Sequence, residues 1–426
     1  MKTLLRASAL FLLLLLSLLP IDACAEGFAF DASGRITEQV ICLDLKKDYL
    51  LNPGAGSMSF PRWTNRLYLY ENVTVSYKNA RFVGRVRPTL QSTPGGYSEG
   101  DFLTDDAYVE MRFQDRYFAY TGKRNIREGV AYGANPVDFL GEKKKVDWTL
   151  REEERRVERE GNYLAGLDLF FRNATLTAIF APHLSGNQQE EDRLLLKAAF
   201  LLERIKTDAT LLYYYGDKPG AGLAVSTTAG HSLVLYTESA LRWNEGRGKI
   251  RMISAGTPRT YALVDPGDDS GTYLNLVVGG QYTFDNKVNI IGEYIYNGEG
   301  YDACDWRNYI DFVKYAHVNR EKGFVSGLML SYLGQANSIT TFGQTRRNYL
   351  FARINKPDIG GKVDGSLVFV ANLDDRSCLL SPSLVYRLND RVALTASAQF
   401  FIGNKDIEYG MIPWQNAVSA GISVLF

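Results

Sequence analysis

Along most of this chain, apolar and polar side chains alternate at every second residue, in runs of about ten. Arg81, Arg85, Arg87 and Thr89 fall on one side of such a run, and Phe82, Val86, Pro88 and Leu90 on the other. Tyr108, Glu110, Arg112 and Gln114 oppose Ala107, Val109, Met111 and Phe113, and Thr395, Ser397 and Gln399 oppose Val392, Leu394, Ala396 and Phe400. A period of two is the geometry of a strand, whose successive side chains leave opposite faces of the sheet. Counted this way, the strands are 30–43, 63–76, 80–90, 104–114, 116–123, 162–171, 174–183, 193–203, 208–216, 220–229, 232–243, 272–284, 288–298, 345–355, 361–372, 376–387, 391–402 and 417–426. Tight turns such as Lys78-Asn79, Arg172-Asn173 and Asn389-Asp390 alternate with long connections at 91–103, 124–160, 244–271, 299–343 and 403–416.

The N-terminus sets the compartment. Lys2 and Arg6 precede an apolar run from Leu10 to Leu19, and Ala23-Cys24-Ala25 supplies a small-x-small cleavage pattern. Residues 1–25 therefore read as an export signal and 26–426 as one folded domain; a lipidated Cys24 is the rival reading, which Asp22 fits poorly. No later segment offers the ~20 apolar residues of a spanning helix: Leu194 to Ile205 is broken by Lys197, Glu203 and Arg204. Lys and Arg number 48 against 48 Asp and Glu, which argues against a nucleic-acid partner. Cys42, Cys304 and Cys378 remain after cleavage, with no metal-ligand or haem spacing. No metal and no cofactor are expected, and a Cys304–Cys378 bridge stays open.

An exported chain of long dyad repeats without a spanning helix points to an all-β fold, a single transmembrane antiparallel β-barrel of about 18 strands (16–18) with long outer loops. In hydrocarbon every backbone N–H and C=O must be paired within the protein, and a closed sheet without edges does so. Val418, Ala420, Ile422, Val424 and Phe426 end the chain in an apolar dyad with a terminal aromatic. That ending resembles the C-terminal recognition strand of bacterial outer-membrane proteins, which makes Phe426 the candidate assembly signal. Residues 323–334 look strand-like, but a nineteenth strand would invert every later turn. They are placed in a partly helical outer excursion, 299–343, because Trp306, Tyr309, Ile310 and Val313 recur at helical spacing. Tyr68, Tyr70, Tyr117, Tyr120, Tyr294, Tyr296 and Tyr386, near strand ends, suit interfacial aromatic girdles.

Gly122-Lys123-Arg124-Asn125-Ile126-Arg127-Glu128-Gly129, followed by Asn135-Pro136-Val137-Asp138-Phe139, resembles a pattern of bacterial outer-membrane porin-like β-barrel proteins. Those often read G-[KR]-x-x-I-R-W-G before N-P-T-D-F; Glu128 stands where Trp is expected. The helical excursion after Asn297-Gly298-Glu299-Gly300-Tyr301 is similar too. The resemblance implies the architecture of a barrel in the bacterial outer membrane, with outer-membrane lipid around it, more than a substrate; with so wide a barrel, the first reading is a channel for passive diffusion of small hydrophilic solutes. The alternative is a barrel that sheathes or anchors a partner, such as an export or electron-transfer component. Nothing chooses between a monomer and a homo-oligomer.

A lumen of 16–18 strands is wide enough for water, so its selectivity lies in what narrows it. Segment 124–160 is the candidate constriction, with Arg124, Arg127 and Asp138 as charges presented to a solute; bracing of the wall is the even alternative. Arg81, Arg85, Arg87 and Arg112, with Glu110 beside them, form the densest charged row on the predicted wall. They either attract anions or pair across strands; Glu293 and Asp364 face inward elsewhere. His183-Leu184-Ser185-Gly186-Asn187 resembles the H-x-S-N-G motif of an outer-membrane phospholipase, but Gly186 replaces the Asn and no third residue follows, so no enzyme is expected. Asp265-Pro266-Gly267-Asp268-Asp269-Ser270 clusters oxygens suited to calcium, against the simpler reading of a solvated loop.

Overall fold

The computed structural model describes residues 27–426 apart from 48, 53–59, 97, 142–158, 185–190, 217, 244–246, 265–270 and 341–342. The expected signal segment 1–25 lies outside the described residues. Eighteen strands form one antiparallel sheet in chain order: β1 (Phe28–Leu45), β2 (Trp63–Tyr77), β3 (Ala80–Ser92), β4 (Ser98–Phe113), β5 (Tyr117–Arg124), β6 (Asn162–Phe170), β7 (Ala174–Ala181), β8 (Arg193–Leu202), β9 (Thr207–Tyr215), β10 (Gly220–Ala229) and β11 (Leu233–Trp243). It continues after a two-stranded hairpin, β12 (Lys249–Ser254) and β13 (Thr260–Val264), with β14 (Thr272–Thr283), β15 (Asn289–Asn297), β16 (Asn348–Ile359), β17 (Val363–Asn372), β18 (Cys378–Arg387), β19 (Val392–Ile402) and β20 (Trp414–Leu425). β20 pairs with β19 and with β1, so the sheet closes.

Every strand counted from the dyad pattern has a counterpart in this wall. Differences lie in the connections. Residues 91–103, expected as a long loop, are mostly strand, because β3 runs to Ser92 and β4 starts at Ser98. Residues 323–334 belong mainly to α2 (Ser326–Ile339), which follows α1 (Ala303–Glu321). Asp302 starts α1 by accepting the amides of Cys304 and Asp305 at 2.9 Å each, the ordinary way a helix N-terminus satisfies its free donors.

The outward dyads carry exposed apolar side chains, among them Leu67, Phe82, Val109, Leu167, Leu196, Leu235, Leu350 and Leu394. Not all the tyrosines expected in girdles point outward. Tyr68 and Tyr120 are buried on the inward face, and the Arg35 guanidinium lies over both Tyr68 and Tyr70. Strand parity decides this: Tyr68 sits opposite Thr37 and Thr89 in register, and both belong to the inward set. Tyr117, Tyr294 and Tyr386 are exposed.

Phe426 completes the closure. It exchanges two backbone hydrogen bonds of 3.0 Å with Gly34, and a Cβ built at Gly34 would overlap its ring. At the long-loop end, Leu50 and Leu51 between β1 and β2, Tyr261 of β13, Tyr309 and Phe312 of α1, Met329 and Tyr332 of α2, and Met411 between β19 and β20 share one hydrophobic core. Trp306, Tyr309, Ile310 and Val313, the helical-spacing set, all face it. Cys42, Cys304 and Cys378 are free thiols, so the Cys304–Cys378 bridge does not form.

Candidate functional site

The inward charged row on β3 is matched residue by residue by β4. Arg81 pairs with Glu110 at 3.0 Å, Arg85 with Asp106 at 3.1 Å, and Arg87 with Asp105 through two hydrogen bonds of 3.1 and 3.3 Å. The register of β3 on β4 shifts between Arg85 and Val86. This bulge lets two consecutive aspartates, Asp105 and Asp106, both reach arginines of one face, which an unbroken dyad forbids. Arg112 pairs with Asp115 of the neighbouring turn at 2.9 Å. The row is thus a set of ion pairs rather than an uncompensated basic stripe.

Segment 125–141 lies against inward-facing side chains of the wall. Its start is tied by the Asn125 amide, which donates to Asp106 at 2.9 Å. The Arg124 guanidinium sits between the rings of Tyr108 and Tyr120, at 4.8 and 4.1 Å from their centroids. Four consecutive amides then meet two wall carboxylates. Val130 and Ala131 donate to Oε1 of Glu238 on β11, and Tyr132 and Gly133 donate to the two oxygens of Glu293 on β15, at 2.6 Å each for the last two. Tyr236 adds its hydroxyl to Glu293 at 2.5 Å. Gly129 has a positive φ of 96°, and a Cβ there would meet both Glu238 oxygens at 2.6 Å; only glycine permits so close an approach.

Farther along, Val137, Phe139 and Leu140 pack into an apolar patch formed by Tyr120, Leu164, Ile179, Leu195, Leu212 and Tyr214. Phe139 stacks on Tyr214 with centroids 5.4 Å apart, and the Arg242 guanidinium of β11 lies over the Phe139 ring, 4.9 Å from its centroid, while donating to the Pro136 carbonyl at 3.0 Å. The expected solute-facing charges have partners here. Arg127 donates to the Ala131 carbonyl and to Asn135 at 3.2 and 2.9 Å. Asp138 pairs with Arg159 at 2.8 Å and accepts the Glu128 amide. Glu128, standing where the porin-like pattern has Trp, pairs with Lys197 of β8 at 2.7 Å. Residues 142–158 of the expected constriction lie outside the described residues.

Glu238, Lys197 and Arg242 were not singled out by sequence; their signal was a charge on the polar parity of a strand, which Glu293 shares. His183 is exposed, with its backbone amide held by Asp192 at 2.7 Å, and Ser185 lies outside the described residues, as does 265–270. Among the described residues no group of His, Cys, Asp and Glu is arranged to hold a metal.

A closed, 18-stranded antiparallel barrel, apolar outside and polar within, is the architecture of bacterial outer-membrane porin-like proteins, in agreement with the resemblance carried by residues 122–139. Among solved structures, Acinetobacter baumannii OccAB1 is similar with a TM-score of 0.53 at 11% identity, over 95% of this chain and 99% of that one. Pseudomonas aeruginosa OccK11 (OpdR) is similar with a TM-score of 0.50 at 11% identity, over 94% and 97%. No protein-family model and no curated protein sequence matches the chain.

Proposed function

We propose that this protein is a passive channel of the bacterial outer membrane for small hydrophilic solutes, narrowed by segment 125–141. The observation that carries this reading is the fastening of four successive backbone amides, Val130 to Gly133, onto the inward carboxylates of Glu238 and Glu293. A segment merely folded outside the barrel would not use wall carboxylates as its acceptors. Charge-assisted bonds of this kind contribute about 1.5–3 kcal/mol each. They hold the narrowing against thermal motion, while the wall beyond it leaves an aqueous path. In this reading the short turns face the periplasm, the long loops face outward, and the apolar exterior meets lipid.

Planar-bilayer recording of the purified protein tests it: discrete ohmic steps in KCl are expected. Persistent electrical silence, together with a co-purifying partner, would overturn the channel in favour of a sheathing barrel.

A further inference from the structure

One inward row differs in chemistry from the rest of the wall. Cross-strand register aligns Thr283 of β14 with Asn289 of β15, and Asn289 with Asn355 of β16. The same row passes to Ser366 on β17, Ser383 on β18, Ser397 on β19 and Ser419 on β20. Across seven consecutive strands every position in the row is an uncharged hydroxyl or amide. Two adjacent pairs touch: Asn289 donates to the Thr283 hydroxyl at 2.8 Å, and the Ser397 and Ser419 hydroxyls are 2.7 Å apart. Because strands tilt in a barrel, a row perpendicular to them climbs the wall. This one starts beside the short turn after β14 and ends midway along β20, a path of ~29 Å at the usual strand spacing.

A second observation marks the upper end. Gln399, one pleat beyond Ser397 on the same face of β19, is only 4% exposed, and its Oε1 has no hydrogen-bond partner among the described residues. A buried acceptor without a donor is rare, and a hydroxylated solute would supply one. The β3–β4 charges lie on other strands, each arginine of β3 already ending on a carboxylate. Of the charges one pleat from the row, Asp364 of β17 already pairs with Arg387 of β18 at 2.8 Å and Arg353 of β16 is buried. A charged solute on the row itself would lose hydration without meeting a counter-ion in it. A neutral polyol would exchange each water contact for a group that both donates and accepts.

We infer that the row from Thr283 to Ser419 is a hydrogen-bonding track for uncharged polyhydroxylated solutes of monosaccharide size. This rests on the channel reading and names the solute class for it. The test compares osmotic swelling of proteoliposomes in D-glucose, gluconate and glucosamine, each rate divided by the KCl conductance of the same protein. Glucose is expected to enter fastest. The combined variant Ser366→Ala, Ser383→Ala, Ser397→Ala and Ser419→Ala is expected to lower the glucose ratio about threefold or more, while outward-facing Ser239→Ala leaves it unchanged. Separately, Ser383→Asp should shift the reversal potential in a KCl gradient toward cation preference, since the row faces the ion path. Conduction of KCl with no glucose preference, or a glucose ratio unaltered in the fourfold variant, would overturn the track and leave the channel standing. Absence of conductance in the unaltered protein overturns both.

Discussion

Asp302 shows how much one side chain decides at the long-loop end of the molecule. The amides of Asp305 and Cys304 hold its carboxyl below the usual aspartate range, with Arg347 at 3.5 Å acting in the same direction. A group whose folded pKa is depressed stabilises the fold above its ordinary titration range and loses that contribution as pH falls through the depressed value. Asp302→Ala is therefore expected to lower the stability of α1 by about 1 kcal/mol at neutral pH, and the difference from the unaltered protein should vanish in strong acid. Hydrogen exchange of the first turn of α1 at two pH values measures it. Gly34 is the matching case toward the opposite end of the barrel. Gly34→Leu would drive a side chain into the Phe426 ring and is expected to cost about 1–3 kcal/mol; the folded fraction after refolding into detergent, read by gel mobility with and without heating, checks this.

At the scale of elements, the wall was legible and the connections were not. Period two survives tertiary packing because one face must meet an apolar surround along the whole strand, so all the barrel strands stood out. The outer half of β4 did not, since Ser98, Glu99, Gly100 and Asp101 carry no apolar dyad of their own. The site was half legible. Segment 124–160 could be singled out by length, glycines and its resemblance, but its acceptors lie on β11 and β15, more than a hundred residues away, and no local spacing connects them. Likewise, the sequence left Arg81, Arg85 and Arg87 either to attract anions or to pair across strands, and no local spacing announces the bulge in β4 that brings Asp105 and Asp106 to Arg87 and Arg85. If the two wall carboxylates hold the narrowing, Glu238→Ala combined with Glu293→Ala will free residues 130–133. Larger and noisier single-channel currents are expected; currents identical to those of the unaltered protein would refute the anchoring role.

For the whole molecule, the closed wall and the joined loops behave as two units with different origins of stability. Closure leaves no strand edge, so the wall's hydrogen bonds are mutually dependent. The cap over the long-loop end depends instead on buried hydrophobic side chains from four separate connections, with Tyr261, Phe312 and Tyr332 in mutual ring contact at 5.0 to 5.8 Å. Limited proteolysis of the protein in detergent should show it: cleavage between α1 and α2 is expected to be slow in the native state and to accelerate in Phe312→Ala, a core truncation of about 3–5 kcal/mol. Glu408 ties the cap to the wall. It accepts the amides of Gly343 and Thr345 at 2.9 and 3.0 Å, the Tyr349 hydroxyl at 2.8 Å and the Asn372 amide at 2.6 Å.

Such a shared core changes how the long-loop end of the barrel is seen by anything that binds it. Its recognisable shapes are composites, each assembled from stretches far apart in the chain. An antibody elicited by one loop as a free peptide should bind the intact molecule poorly, whereas one raised against the whole will lose its target once the helical pair comes loose.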